Sequence, residues 1–328
     1  MTIKEVAQMA GVSSAAVSRF LNGGSLSQEK RDRIQKVIEE TGYRPSTAAQ
    51  VLRTGRMKQI GVIVPKLYSD SVSQIMEGIS ERAAKQGYMV VVCNTGGEEE
   101  NEIRFLELME NNQAAGVIIM GTVMTARKES MLKKYSLPVV VTGQNYKGIP
   151  CIYHNDESAV RELTELIVKK GRKRIAYLGV NERDERAGAL RRKGFQSAVD
   201  AAEKELQYVY TSVGEFTPDS GYNNMAALFR EDPQIDGVVC ATDTIAMGAM
   251  RAIRQAGRTI GEDISIVGVG DSWVDNFSET PLTTAHFYFK QCGTGAAEML
   301  LSIIEGTDPA APVRQTCLEY TIVERGSI

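Results

Sequence analysis

Seven apolar runs of strand length, separated by amphipathic segments of helix length, organise everything after residue 59. They are IGVIVP (60–65), YMVVVC (88–93), AGVIIM (115–120), PVVVTG (138–143), RIAYLG (174–179), DGVVCA (236–241) and ISIVGVG (264–270). Their hydrophobicity is continuous rather than alternating, which fits parallel strands covered on both faces. Segments such as 71–86 and 156–170 supply the intervening helices, so the pattern is doubly wound α/β. About 270 residues is too much chain for one such sheet, and two doubly wound parallel-sheet subdomains are expected.

The first 57 residues follow a different rhythm, that of short helices with tight connections. Thr2 and Glu5 form a potential capping box at the start of a helix to about Ala10. Gly11 and Val12 make a turn, and Ser13 caps a second helix to about Leu21, which Asn22, Gly23 and Gly24 stop. Ser27 opens a third helix through Glu40 with Ile34, Val37 and Ile38 inward, and Gly42 ends it. Pro45 and Ser46 can begin one more short helix. The expected architecture is an all-α head followed by an α/β body.

Charge divides at the same place. The whole chain carries −3, but residues 1–59 hold ten basic and five acidic side chains, a balance of +5 against −8 for the remainder. The head suits phosphates and the body does not. Five cysteines, Cys93, Cys151, Cys240, Cys292 and Cys317, lie far apart without CxxC spacing, so reduced thiols are expected rather than a disulfide framework or zinc site. With no signal peptide and no run of about 18 apolar residues, the sequence points to a cytoplasmic protein without membrane association.

Residues 2–22, TIKEVAQMAGVSSAAVSRFLN, describe a helix-turn-helix: two short helices, a glycine turn, and Ala7, Ala10 and Ala16 where helices must approach closely. A plain helical hairpin within a larger core is the alternative. Against it stands the outer face of the second helix, where Ser13, Ser14, Ala15, Ser18 and Arg19 are small, polar or cationic. Arg19 can fork onto O6 and N7 of a guanine, a pairing worth about 1–3 kcal/mol of discrimination. Ser13 and Ser18 suit phosphate contacts, which fix register.

Together with TGYRPSTAAQVLRTGRMKQIGVIVP, CATDTIAMGAMRAIRQAG and ISIVGVGDSWVDNFSETPLTTAHF, that segment makes the chain resemble the LacI/GalR family of transcriptional regulators from end to end. The resemblance implies a head over 1–44, a hinge helix and linker over 45–59, and an effector-binding, dimerising body of periplasmic-binding-protein type over 60–328. Its crossovers between subdomains are expected near 156–158, 285–287 and 308–312. The DNA-facing set becomes Thr2, Ser13, Ser14, Ala15, Ser18, Arg19, Asn22, Ala49, Leu52 and Arg53, with Leu52 as a wedge that unstacks and kinks the operator centre. The effector set becomes Ser71, Gln144, Arg191, Phe216, Asp243, Asp271 and Trp273. In it Arg191 clamps a hydroxyl or phosphate, Asp243 accepts from vicinal hydroxyls, and Phe216 and Trp273 are stacking rings. The residues alone leave Asp243 and Arg191 open to a surface-ion reading, and Trp273 to packing or an interface.

Ser71 and Val72 stand where the family often has two aromatic residues, and Gly270-Asp271 replaces its usual Asp-Asp or Asp-Asn pair, which argues against a purine pocket. The stretches SDSVSQI and HFYFKQCG resemble sucrose-operon repressors of Gram-positive bacteria. The resemblance thus implies a homodimeric repressor on a pseudo-palindromic double-stranded operator, its affinity set by a sugar or sugar phosphate. A corepressor or partner protein using the same hinge, or a solute receptor without DNA function, are the alternatives. Enzymatic readings lack support: there are two histidines and no GxSxG, GxxxxGK[ST] or HExxH motif, so no catalytic residue, metal or cofactor is expected.

Overall fold

A computed structural model describes residues 1–21, 24–43, 56–308 and 313–328. The chain divides into two compact units, Met1–Met57 and Lys58–Ile328. Asn22 and the hinge positions Ala49, Leu52 and Arg53 lie outside the described residues.

In the first unit α1 (Ile3–Met9) opens on the capping box its sequence suggests. The Thr2 hydroxyl accepts from the Glu5 amide at 3.3 Å, and the Thr2 amide donates to the Glu5 carboxylate at 2.7 Å. Gly11 turns the chain at φ +62°, a left-handed conformation that glycine adopts without a Cβ clash. The Ser13 hydroxyl accepts from the Ala16 amide at the start of α2 (Ser14–Leu21), and α3 (Gln28–Thr41) ends at left-handed Gly42. Val6, Ala7, Ala10, Ala16, Val17, Ile34, Val37 and Tyr43 form the core, where three alanines let the helices approach closely.

The second unit contains two six-stranded sheets. The first comprises β1 (Gln59–Val64), β2 (Met89–Asn94), β3 (Gly116–Met120), β4 (Val139–Thr142), β5 (Cys151–His154) and β11 (Gln315–Leu318). Its order is β11-β5-β4-β3-β1-β2 and every pairing is parallel. The second comprises β6 (Arg174–Val180), β7 (Tyr208–Gly214), β8 (Gly237–Cys240), β9 (Ser265–Gly270), β10 (Thr283–Phe287) and β12 (Tyr320–Val323). Its order is β12-β10-β9-β8-β6-β7, parallel except that β12 runs antiparallel to β10. Helices α4 (Asp70–Lys85), α5 (Glu99–Asn111), α6 (Ala126–Lys134) and α11 (Phe289–Glu305) belong to the first lobe. In the second lobe are α7 (Asp156–Lys169), α8 (Arg191–Ala201), α9 (Pro218–Glu231) and α10 (Asp243–Gln255).

All seven apolar runs are strands, and β3 and β8 are buried along their whole length. The chain passes between lobes at Asn155, Tyr288 and Glu319. The third passage corrects the expectation of 308–312: the four-residue β11 first pairs with β5 of the first sheet, and only then does the chain cross into β12. The five cysteines are unpaired, Cys317 being the exposed one. Among the described residues no helix is long and apolar enough to cross a membrane.

Helices α4 and α11 meet through two glycines. A Cβ on Gly78 would lie 2.1 Å from the Lys290 carbonyl oxygen, and one on Gly293 would lie 2.0 Å from that of Ile75. Gly78→Ala is therefore expected to force the helices apart and cost about 1–3 kcal/mol in denaturant unfolding. Unchanged stability would mean that the two backbones separate freely.

Candidate functional site

On the first unit, burial of Ala16 and Val17 orients α2 and leaves Ser13, Ala15 and Arg19 exposed, with Ser14 and Ser18 half-buried. Thr2 is exposed at the start of α1. Exposed small and cationic side chains on one face of the second helix suit insertion into a major groove.

On the second unit, the carboxyl ends of strands from both sheets surround a cleft of about 760 Å³, the location favoured for ligands in open α/β sheets. Ser71, Gln144, Arg191, Phe216 and Asp243 all line it. Ser71 lies in the first turn of α4, its hydroxyl 2.8 Å from that of Ser69. Gln144 follows β4 and donates through Nε2 to Asp184 of the second lobe at 2.7 Å. Phe216 follows β7.

Asp271 and Trp273 do not line the cleft, which corrects their expected place. The backbone turns at Asp271 (φ +58°), whose carboxylate is held by Arg325 and by His286 Nδ1 at 2.8 Å. Trp273 is 65% exposed and packs edge-on against Phe277, with ring centroids 6.0 Å apart.

Buried Asp156 organises one wall. Its Oδ1 accepts from Arg191 Nε at 2.8 Å and its Oδ2 from Arg186 Nε at 3.0 Å. Arg191 also donates to the Ala241 carbonyl, and Arg186 to the His154 carbonyl. Arg191 therefore braces the wall through two of its nitrogens while still facing the cleft. His154, at the first passage between lobes, stacks on Phe287 (4.6 Å between centroids) and meets Phe289 edge-on at 5.3 Å. Burial lowers its pKa to about 4, so the ring is neutral near pH 7. Three buried atoms of cleft-lining residues, Thr142 Oγ1, Gln144 Oε1 and His154 Nε2, have no protein hydrogen-bond partner among the described residues. Such atoms are costly unless a polar ligand or water meets them.

Asp243 begins α10. Its carboxylate accepts from the Thr284 hydroxyl at 2.6 Å and from the Ser272 amide at 3.2 Å. Asp275 is fully buried, and no described protein donor reaches either of its oxygens. Burial first, then the charge of Asp243, pushes its pKa to about 9, so Asp275 carries the proton of the pair.

Asp275 is protonated in the folded chain and ionised in the unfolded chain between about pH 4 and 9, so it lowers stability as pH rises through that window. His154 acts oppositely from about 4 to 6.5 and offsets it there, leaving a net decline above about 6.5. Asp275→Asn should flatten that decline by up to about 1.4 kcal/mol per pH unit and expose an acid-side loss below pH 6.5. Unfolding titrations across pH 5–9 check this; an unaltered slope above pH 6.5 would mean that Asp275 is ionised when folded.

Sequence reasoning missed Asp156, Arg186 and Asp275 as organising groups and His154 as a cleft residue. Asp156 and Arg186 meet across 30 residues of chain, and WVDN reads as an ordinary polar turn. The signal at Asp156 is slight, one of two adjacent acids in the first turn of α7.

A helix-turn-helix unit joined in one chain to a two-lobed unit with a polar cleft defines a ligand-responsive transcription regulator. Residues 2–46 match the bacterial regulatory proteins of the lacI family, and 57–321 match the periplasmic binding proteins and sugar binding domain of the LacI family. The chain belongs to the lacI family of bacterial regulatory proteins. It is similar to the sucrose operon repressor of Staphylococcus xylosus, at 28% identity over 92% of this chain and 93% of the relative. It is likewise similar to the HTH-type transcriptional repressor PurR of Pasteurella multocida, at 30% identity over 92% of each. The lac repressor dimer bound to operator and the anti-inducer ONPF aligns with a TM-score of 0.87 at 26% identity, over 100% of this chain and 98% of the other.

Proposed function

We propose that the chain is a cytoplasmic, homodimeric repressor that binds a pseudo-palindromic operator through Ser13, Ser14, Ala15, Ser18 and Arg19, and whose operator affinity is set by a carbohydrate in the cleft. Identity alone does not choose the effector, because the sucrose operon repressor and the repressor PurR match about equally well. The observation that carries the reading is the lining of the cleft, which sets the polar groups of Ser71, Gln144, Arg191 and Asp243 beside the ring of Phe216. Hydroxyls of a sugar pair with such polar groups, while its C–H faces pack on the ring.

A two-lobed unit transmits binding when its ligand contacts both lobes, and the Gln144–Asp184 hydrogen bond already joins them beside the cleft. Coupling of about 1–3 kcal/mol, 5-fold to 150-fold in affinity, is typical. The test is thermal-shift screening of the full chain with mono- and disaccharides and their phosphates, followed by operator titration with each hit. A sugar that stabilises the protein and alters operator affinity supports the proposal; absence of salt-sensitive operator binding contradicts it.

A further inference from the structure

We propose that Lys66 is the receptor for an anionic substituent of the effector, so that the cleft takes a phosphorylated or carboxylate-bearing carbohydrate in preference to a neutral one. The inference rests on the carbohydrate reading and narrows it.

Five cationic side chains line the cleft: Lys66, Lys128, Arg183, Arg186 and Arg191. Lys128 pairs with Glu102 at 2.7 Å, and Arg186 and Arg191 share Asp156. Arg183 is exposed on the loop after β6. Lys66 differs from all of them. It is half-buried directly after β1, and no hydrogen-bond acceptor or carboxylate among the described residues engages its ammonium. Instead Nζ lies 5.1 Å from the ring centroid of Phe216, in the opposite lobe, and 5.5 Å from that of Tyr68. Burial lowers its pKa and the charge of Glu215 opposes this, so Glu215 offsets part of the desolvation cost and no contact ion pair offsets the rest.

Aromatic faces compensate a buried cation only partly, whereas a phosphate or carboxylate oxygen makes a charge-assisted hydrogen bond with it. A ligand that packs on Phe216 meets this ammonium. A neutral sugar has to compete with the ring for it, while an anionic group satisfies it. Ser71, Gln144 and Asp243 line the cleft as partners for hydroxyls, which leaves charge recognition to Lys66.

The test is calorimetric titration of the full chain, and of Lys66→Met and Lys66→Arg, with glucose, fructose, sucrose, glucose 6-phosphate, fructose 6-phosphate, sucrose 6-phosphate and glucuronate. Methionine keeps an apolar stem over the rings and removes the charge. At least one anionic probe is expected to bind about tenfold or more tightly than its parent sugar. Methionine should erase that preference and arginine retain most of it, with the phosphate and carboxylate arms showing which anion is used. Equal binding of parent and anion, or a preference that survives Lys66→Met, overturns the inference and leaves the carbohydrate reading standing. Binding of none of the probes overturns both.

Discussion

Asp156→Ala is expected to lower the stability of the second unit by about 3–5 kcal/mol, because it strands two buried guanidinium groups at once. Arg186 and Arg191 are each 8% exposed and both draw their counter-charge from this one carboxylate. Their other described acceptors are neutral: the His154 and Ala241 carbonyls and the Asn145 amide oxygen. At about 2–4 °C per kcal/mol, the melting temperature should fall by roughly 6–20 °C. Asp156→Asn, which keeps an acceptor, should fall less. A loss below about 1 kcal/mol for the alanine variant would mean that the guanidiniums find equivalent partners elsewhere. Because Asp156 also stands at the first passage between lobes, ligand affinity should fall with stability.

Arg19→Ala carries the second large effect, on operator binding. The side chain is exposed on α2, with Ala16 and Val17 holding the opposite face in the core. A bidentate contact to guanine is worth about 1–3 kcal/mol, and a two-fold dimer makes it twice, so affinity should drop by about 2–6 kcal/mol, roughly 30-fold to more than 10⁴-fold. Discrimination at one base position of each half-site should relax, while sugar binding and melting temperature stay unchanged. A uniform loss on all sequences would reassign Arg19 to a phosphate contact.

Local rules account for what could be read in the sequence. The Thr2–Glu5 capping box, the Gly11 turn and the Ser13 cap involve residues within a few positions of one another, and the buried parallel strands announce themselves by unbroken hydrophobicity. Strand β7 alternates exposed and half-buried residues at a sheet edge, and β5 and β11 have four residues each, so none of the three carries that signal. Within the cleft, the positions carried over from the family that lie at strand ends or in the first turn of a helix, such as Gln144, Asp243 and Ser71, do line it. What sequence could not supply is pairing across distance. Asp156 with two arginines, Asp243 with Asp275, and Lys66 over Phe216 arise only when separate strands end side by side. Trp273 shows the converse, since a lone tryptophan after a strand suggests a ligand platform until the turn at Asp271 is seen.

The central proposal is that carbohydrate in the cleft and operator on the head are energetically coupled. It is tested most directly by titrating the sugar found in the screen into the free protein and into the operator complex. Coupling is reciprocal, so the two dissociation constants should differ by the same factor, about 5-fold to 150-fold, by which that sugar shifts operator affinity. Equal dissociation constants in the two titrations would contradict it.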